Sequence, residues 1–306
     1  MPKTQPIFAA TYHETEPRPL QEYLKESAGL SARSLRKYFF KGLILLNGRK
    51  AHSQAALRPG DRVAVFPLPE EIGSLIPEPL PLEVVYENDD LLIVNKPAQL
   101  TVHPVKGITA GTLANRVAYY FLSRGIHSKV RPVHRLDHGT SGLVIFAKSA
   151  PSQAILTQAL ANHAIGRTYY AVVHGRPQSD SGLIDHPIGV RNGRRMVLPD
   201  GQPAKTHYRT LERFQDAALL ELELETGRTH QIRVHLRELG HPLLGDPRYG
   251  IPTSLIKRPA LHAGKISFAG TGLAIPEQRA VWPADFERLL MALRMGSERS
   301  PDQKCR

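Results

Sequence analysis

A carboxylate able to do chemistry stands in His134-Arg135-Leu136-Asp137, followed at once by His138-Gly139-Thr140-Ser141-Gly142. Asp137 has a guanidinium, two imidazoles and a Gly/Ser turn as near neighbours, and the apolar run 143–147 holds that turn in place. Such neighbours orient a carboxylate and perturb its acidity, the profile of a nucleophile or general base. An Asp that only forms a turn is the alternative, and this stretch alone leaves both open. The spacing of His134 and His138 fits a zinc pair on a helix. Residues 139–142 break a helix and no third ligand is evident, so no metal is expected.

Two further constellations carry reactive groups. In Arg167-Thr168-Tyr169-Tyr170-Ala171 a strand alternates its faces, so Tyr169 and Tyr170 point opposite ways. One tyrosine in the core and one exposed is the plain account. A tyrosine lining a pocket also stacks on a base and exchanges a proton through its hydroxyl. In Thr226-Gly227-Arg228-Thr229-His230-Gln231-Ile232-Arg233-Val234-His235-Leu236, a turn at Gly227 leads to a helix that Thr229 can cap. Ile232, Leu236 and Leu239 are its expected buried stripe, with Gly240 ending it. Arg228, His230 and Arg233 crowd the helix start, where the macrodipole disfavours cations. They point to an anionic partner, either a phosphate or a carboxylate of the protein itself.

The elements that position these groups follow from periodicity. Leu20, Tyr23 and Leu24 sit at helical spacing, and Ser31 is the expected N-cap of a second helix. That second helix places Leu35 and Phe39 on one face and Arg33, Arg36, Lys37 and Lys41 on another. The strand 43–46, the turn Asn47-Gly48, the turn Pro59-Gly60-Asp61 and the strand 62–66 complete a small module. Five prolines between positions 67 and 81 mark a stiff linker. Beyond it lie strands at 84–86, 91–95, 143–147 and 169–173, and a helical stripe of Leu113, Val117, Tyr120 and Phe121. Leu220, Leu222 and Leu224 alternate with Glu221, Glu223 and Glu225, a half-buried strand with its glutamates toward solvent. The expected division is a poorly structured lead 1–16, the module 17–67, the linker 68–81, a large domain 82–292 and a mobile tail 293–306.

Composition narrows the function classes. The 306 residues suit two domains. Cys305 is the one cysteine, which excludes intramolecular disulfides and thiolate metal cages. No apolar run reaches the roughly 18 residues of a membrane span, and no secretory signal opens the chain. A soluble, cytoplasmic protein is expected. The net charge of +12 and pI of about 9.9 point to a polyanion. Residues 1–67 hold eleven Lys/Arg against five Asp/Glu, so half of that excess lies in about a fifth of the chain. A solvated charged face is the plain account of the basic helix; RNA binding is favoured because the cations recur on one face beside a tight hairpin.

The strings VVYENDDLLIVNKPAQLTVHP, HRLDHGTSGLVIFAKS, RTYYAVVHG, TGRTHQIRVHLRELGHPLLGDPRYG and LHAGKISF, spread over residues 82–268, resemble the RluA-type pseudouridine synthases. LSARSLRKYFFKGLILLNGRK and LRPGDRVAV resemble an alpha-L RNA-binding domain, a common companion of that family. Departures from the family pattern are Gln99, His138-Gly139, Arg167 and residues 270–272, none at a catalytic position.

The resemblance implies an α+β fold with a mixed, largely antiparallel sheet. It implies conversion of uridine to pseudouridine in structured RNA without cofactor, metal or bound nucleotide. It also implies Asp137 as the essential carboxylate, Tyr169 beside the target base, Arg233 paired with Asp137, and Arg135 on the flipped nucleotide or its backbone. His134, Arg228, His230 and Gln231 are further expected RNA contacts near the site, with Arg33, Arg36, Lys37 and Lys41 in the module. Attack of Asp137 on the sugar and removal of a sugar proton both remain open as its role. Ribosomal RNA of the large subunit is the favoured substrate and a monomer the expected state. The alternatives are transfer RNA, a non-catalytic RNA-binding protein, and a hydrolase pairing Asp137 with Asp246, a residue more simply placed in a turn.

Overall fold

A computed structural model describes residues 6–66, 75–105 and 107–298. The chain divides into two compact units, Met1–Glu70 and Glu71–Arg306.

The first unit runs β1 (Phe8–Thr11), β2 (Arg18–Pro19), α1 (Leu20–Ser27), α2 (Ala32–Phe40), β3 (Ile44–Leu46), β4 (Arg49–Lys50), β5 (Ala56–Leu57) and β6 (Arg62–Val65). The Ser31 hydroxyl accepts from the Ser34 amide and so caps α2. Asn47 and Gly48 both have positive φ, 51° and 80°, the requirement of the tight turn joining β3 to β4. An antiparallel sheet of order β1-β6-β3-β4 and the two helices enclose Leu20, Leu24, Leu35, Ile44, Leu57, Val63 and Val65. The expected lead 1–16 lies outside the described residues at 1–5, and from Phe8 it is ordered. β1 pairs along its length with β6, and the buried Tyr12 donates its hydroxyl to the Glu16 carbonyl at 2.7 Å. Its partner strand lies some fifty residues away, so no local pattern announced it.

The second unit runs β7 (Glu83–Glu87), β8 (Leu91–Lys96), α3 (Leu113–Ser123), β9 (Arg131–Pro132), β10 (Ser141–Ala147), α4 (Ala150–Ala161) and β11 (Gly166–His174). It continues through β12 (Ser181–Asp185), β13 (Ile188–Arg191), β14 (Arg194–Val197), β15 (Lys205–Arg213) and β16 (Ala217–Leu224). It ends with α5 (Gln231–Glu238), β17 (Leu261–Ser267), β18 (Gln278–Arg279) and α6 (Ala284–Glu298). The main sheet follows β12-β15-β16-β11-β17-β10-β8-β7. Only the central β10–β17 pair in it is parallel among the described residues, so the α+β architecture is mixed and largely antiparallel.

Helices cover both faces of this sheet, and so β10 is buried throughout and apolar from Leu143 to Ala147. Val144 and Phe146 pack with α3 and α5 residues such as Phe121 and Leu236, whereas Leu143, Ile145 and Ala147 pack with Leu156 of α4. On β16, Leu219 lies against Phe286, Leu289 and Leu290 of α6. Farther along that face Glu221 pairs with Arg209, and Glu225 just past the strand with His207, in place of free solvation.

Two boundaries differ from expectation. The expected linker 68–81 lies partly outside the described residues, but residues 75–81 are bonded to the large unit. Asn115 Nδ2 donates to Ile76 O at 2.7 Å, Glu78 N to Asn115 O at 3.1 Å and Arg116 Nη1 to Pro81 O at 2.9 Å. The expected tail 293–306 lies outside the described residues from 299 onward, and its first part belongs to α6, because Phe286, Leu289, Leu290 and Leu293 sit at helical spacing and share one buried cluster.

Candidate active site

Asp137 stands in the turn between β9 and β10, where the Thr140 amide donates to the Asp137 carbonyl at 3.0 Å. Gly142 then enters β10 with φ +118°; a Cβ there would fall 2.2 Å from the Ala263 carbonyl oxygen on β17. Only glycine permits that approach of backbones beneath the turn. Behind the turn, the Leu100 amide donates to His138 O at 3.2 Å. Lys96, fully buried, donates to Leu100 O at 2.8 Å, to Pro97 O at 3.0 Å and to His138 O at 3.5 Å. Burial pushes its ammonium down to about 7, against the pull of the Asp137 charge.

α5 supplies the opposite wall. Its N-cap is His230 in the left-handed conformation, φ 60°, and not the expected Thr229. That backbone costs on the order of 1–3 kcal/mol and persists only where its surroundings fix it. Here they do: His230 Nδ1 is 2.9 Å from the Tyr249 hydroxyl, and Nε2 is 3.9 Å from Asp137 Oδ2. Burial keeps the imidazole toward its neutral form, although the nearby Asp137 favours the charged one. Leu239 follows the end of the helix and is exposed, so the buried stripe stops at Leu236.

The anionic partners of this helix start are the protein's own carboxylates. Arg233 Nη1 donates to Asp137 Oδ2 at 3.2 Å, across 96 residues of chain. Its Nε and Nη2 donate to the two oxygens of Asp246 at 2.7 and 2.8 Å, and its guanidinium lies 5.0 Å from the Tyr249 ring centre. Asp246 has no exposed surface. Burial works to raise its pKa, but Arg233 and the amides of Arg248 and Tyr249 outweigh it and hold the carboxylate below its usual range. Arg233 likewise stays charged, burial being offset by the two carboxylates. The result is a fixed Asp246–Arg233–Asp137 row.

Asp137, Arg233, Tyr169, Arg135, Arg167 and Arg228 line one cleft of about 660 Å³, within the roughly 300–1,000 Å³ usual for a small-molecule-sized site. Tyr169 is buried at its wall, and burial raises the pKa of its phenol, which therefore stands protonated at neutral pH; Arg167 opposes this and Asp137 adds to it. Tyr170 faces the other way, edge-on to Trp282. Arg135 is exposed at the rim and makes no ion pair among the described residues. Arg228 shares the cleft wall while its Nε donates to Pro203 O at 3.0 Å.

Two expected RNA contacts have structural duties instead. Gln231 is buried and its amide is saturated. Its Oε1 accepts from the Thr226 hydroxyl at 2.7 Å and the Arg228 amide at 2.9 Å, and its Nε2 donates to Lys205 O and the Thr206 hydroxyl. No capacity is left for RNA. His134 accepts from the Ile145 amide through Nε2 at 3.2 Å, and burial, aided by the Arg167 cation, pushes its pKa to about 3. It borders the cleft as a neutral peg between turn and strand, not as a cation for phosphate. Arg33, Arg36, Lys37 and Lys41 are exposed on or just after α2 in the first unit.

Sequence reasoning missed Asp246 as Arg233's anchor, and with it Tyr249 and Lys96. The signal for the first two was Gly245-Asp246-Pro247-Arg248-Tyr249-Gly250, which reads as a turn and is one, built around a buried carboxylate. The β13–β14 hairpin was also missed. It carries Arg191, Arg194 and Arg195, its root packs with Val234 and Tyr249, and Arg248 donates to Gly193 O at 2.8 Å in its tip. No three metal-ligating side chains cluster, and no helix is long and apolar enough to cross a membrane, among the described residues.

Residues 90–238 match the family model RNA pseudouridylate synthase. The Bacillus subtilis protein named Uncharacterized RNA pseudouridine synthase YhcT is 42% identical over 254 residues, 80% of this chain and 83% of that protein. The chain belongs to the RNA pseudouridine synthase family. Another relative of the synthase is the Ribosomal large subunit pseudouridine synthase D of Pasteurella multocida, 37% identical over 280 residues, 85% of this chain and 86% of its own. Among solved structures, Human RNA Pseudouridylate Synthase Domain Containing 4 shares the fold with a TM-score of 0.59 at 22% identity, over 69% of this chain and 93% of that one. As a member, the synthase is an isomerase that moves uracil from a nitrogen to a carbon linkage within RNA.

Proposed function

We propose that the synthase modifies uridines in structured large-subunit ribosomal RNA, with Asp137 as the group that starts the reaction. The observation that carries this reading is the aim of Asp137 into a cleft while Arg233, itself locked to Asp246, holds it from behind at 3.2 Å. The relatives named for the ribosomal large subunit support that RNA over transfer RNA. The proposed setting is the cytoplasm and the proposed working state a monomer, with the first unit as an alpha-L RNA-binding domain.

The chemistry divides among the residues. A uridine must leave its stack to reach Asp137, at a cost of a few kcal/mol per base. Arg135 and Arg228 offset this through phosphate contacts, and Tyr169 through contact with the base. Asp137 then acts as an anion. Either it attacks the anomeric carbon, forming a bond there as the bond to N1 breaks, or it removes a proton from the adjacent sugar carbon. Both routes release uracil with the electron pair on N1. The base turns in place and C5 bonds to the anomeric carbon; in the first route this breaks the bond to Asp137 and releases its carboxylate, and in the second the adjacent sugar carbon takes back its proton. The C5 proton is finally lost while N1 gains one. Tyr169 is protonated, so it relays the C5 proton only by passing its own onward.

The test is Asp137→Asn with pseudouridine mapped in total RNA by carbodiimide primer extension. The expected result is loss of the modification in ribosomal RNA with RNA binding retained. Undiminished modification would remove Asp137 from this role, and sites confined to transfer RNA would overturn the substrate.

A further inference from the structure

Phe40 closes α2 with 86% of its surface exposed. A single exposed aromatic is ordinary; its alignment is not. The residues three, four and seven positions before it are Lys37, Arg36 and Arg33, so all four side chains fall on one helix face. The three cations are exposed and make no ion pair among the described residues, and Lys41, also exposed, follows directly. The opposite face is spent on the core through Leu35, with Tyr38 and Phe39 half-buried behind it. Gly42 then reverses the chain, and the Lys50 side chain runs within 3.0 Å of where a Cβ on Gly42 would lie, adding a cation near the same end. An uncommitted aromatic ring thus heads a stripe of uncommitted cations about 10 Å long on the helix rise.

We propose that Phe40 is a stacking platform for one unpaired base of the RNA substrate, with Arg33, Arg36 and Lys37 on the phosphates beside it. This rests on the reading of the synthase as acting on structured RNA and adds where on that RNA the first unit settles. Base faces are hidden inside a duplex but open in loops, bulges and strand ends, where aromatic rings receive them. The cations supply affinity that falls with salt, whereas the ring supplies a contact that salt leaves alone. Phe40 thereby directs a basic surface toward unpaired nucleotides.

The experiment titrates the full-length protein with an RNA hairpin bearing an open loop and with a fully paired duplex of equal length, over a range of salt. Phe40→Ala is expected to weaken loop binding roughly tenfold, within the range for losing one stacked base, and to leave duplex binding and the salt dependence unchanged. Lys37→Ala should weaken both RNAs and lower the salt slope by about one. Phe40→Trp should restore loop binding, with its emission, read above that of Trp282, quenched by the loop RNA alone. Phe40→Leu should stay weak. Loop binding by Phe40→Ala equal to wild type overturns the inference alone. So does full binding by Phe40→Leu, which would mark the residue as an apolar contact. A wild-type protein that binds neither RNA overturns the substrate reading and this inference with it.

Discussion

Asp246 occupies Nε and Nη2 of Arg233, at 2.7 and 2.8 Å, and so leaves the guanidinium one free edge, which it turns to Asp137. The fork-on-fork geometry fixes the plane of Arg233 more firmly than a single contact does. The charge beside Asp137 is therefore preset in position before any RNA arrives, and the energetic burden of burying Asp246 is carried by Arg233 and two backbone amides.

Asp246→Asn keeps the size and one acceptor but removes the anion. Removing one partner of a buried ion pair costs on the order of 3–5 kcal/mol, and the amide should keep it toward the low end. The expected result is a lowered melting temperature and a single-turnover rate reduced by at least tenfold, with RNA affinity within about twofold of wild type. An unchanged rate in folded Asp246→Asn would show that Arg233 needs no anchor.

The approach of Asp137 to Arg233 was legible in sequence only through the whole motif set, because 96 residues separate them and no periodicity joins them. The elements themselves were open to pattern. Alternation exposed β16, the Asn47-Gly48 turn exposed the hairpin, and helical spacing exposed α3. What stayed hidden depended on partners far along the chain. β1 needs β6, residues 75–81 need Asn115 and Arg116, and Gln231 reveals its structural duty only once Lys205 and Thr206 are beside it. Asp246 failed to stand out because its setting is a genuine turn, and turn formation and burial leave the same mark in sequence.

Tyr249 fixes His230 by meeting its Nδ1 at 2.9 Å, which directs Nε2 toward Asp137. Tyr249→Phe keeps the ring beneath the Arg233 guanidinium and deletes only that hydroxyl. A rate loss of about tenfold is expected, equal to about 1.4 kcal/mol of barrier, with little change in substrate affinity. Rates equal to wild type would separate the orientation of His230 from the reaction.

His134 couples stability to acid. Its pKa falls from an unfolded value near 6.5 to about 3 in the fold. Between those values the unfolded chain binds the proton and the native one does not. Its contribution is therefore complete above about pH 6.5 and is lost as pH falls toward 3, by up to about 1.4 kcal/mol per pH unit for one proton. His134→Gln retains an acceptor for the Ile145 amide without a titrating ring. Denaturant melts at pH 7 and pH 4.5 should show wild type losing more stability than the variant. Equal losses would mean that His134 is protonated in the fold.

Lys96 ties the Asp137 turn to the end of β8 through the carbonyls of Pro97, Leu100 and His138. Lys96→Met fills similar space but donates nothing, and a buried acceptor left unpaired costs about 1–3 kcal/mol. Loss of the tether also frees the segment carrying Asp137 to drift from Arg233, and small misplacements of a reacting group are costly, about a hundredfold for 1 Å. Lower thermal stability is therefore expected together with a turnover rate reduced more than tenfold and near-normal RNA affinity. A melt alone does not separate packing from positioning; the rate does. If Lys96→Met were less stable yet turned over RNA at the wild-type rate, the three carbonyl contacts would hold the fold together without placing the carboxylate.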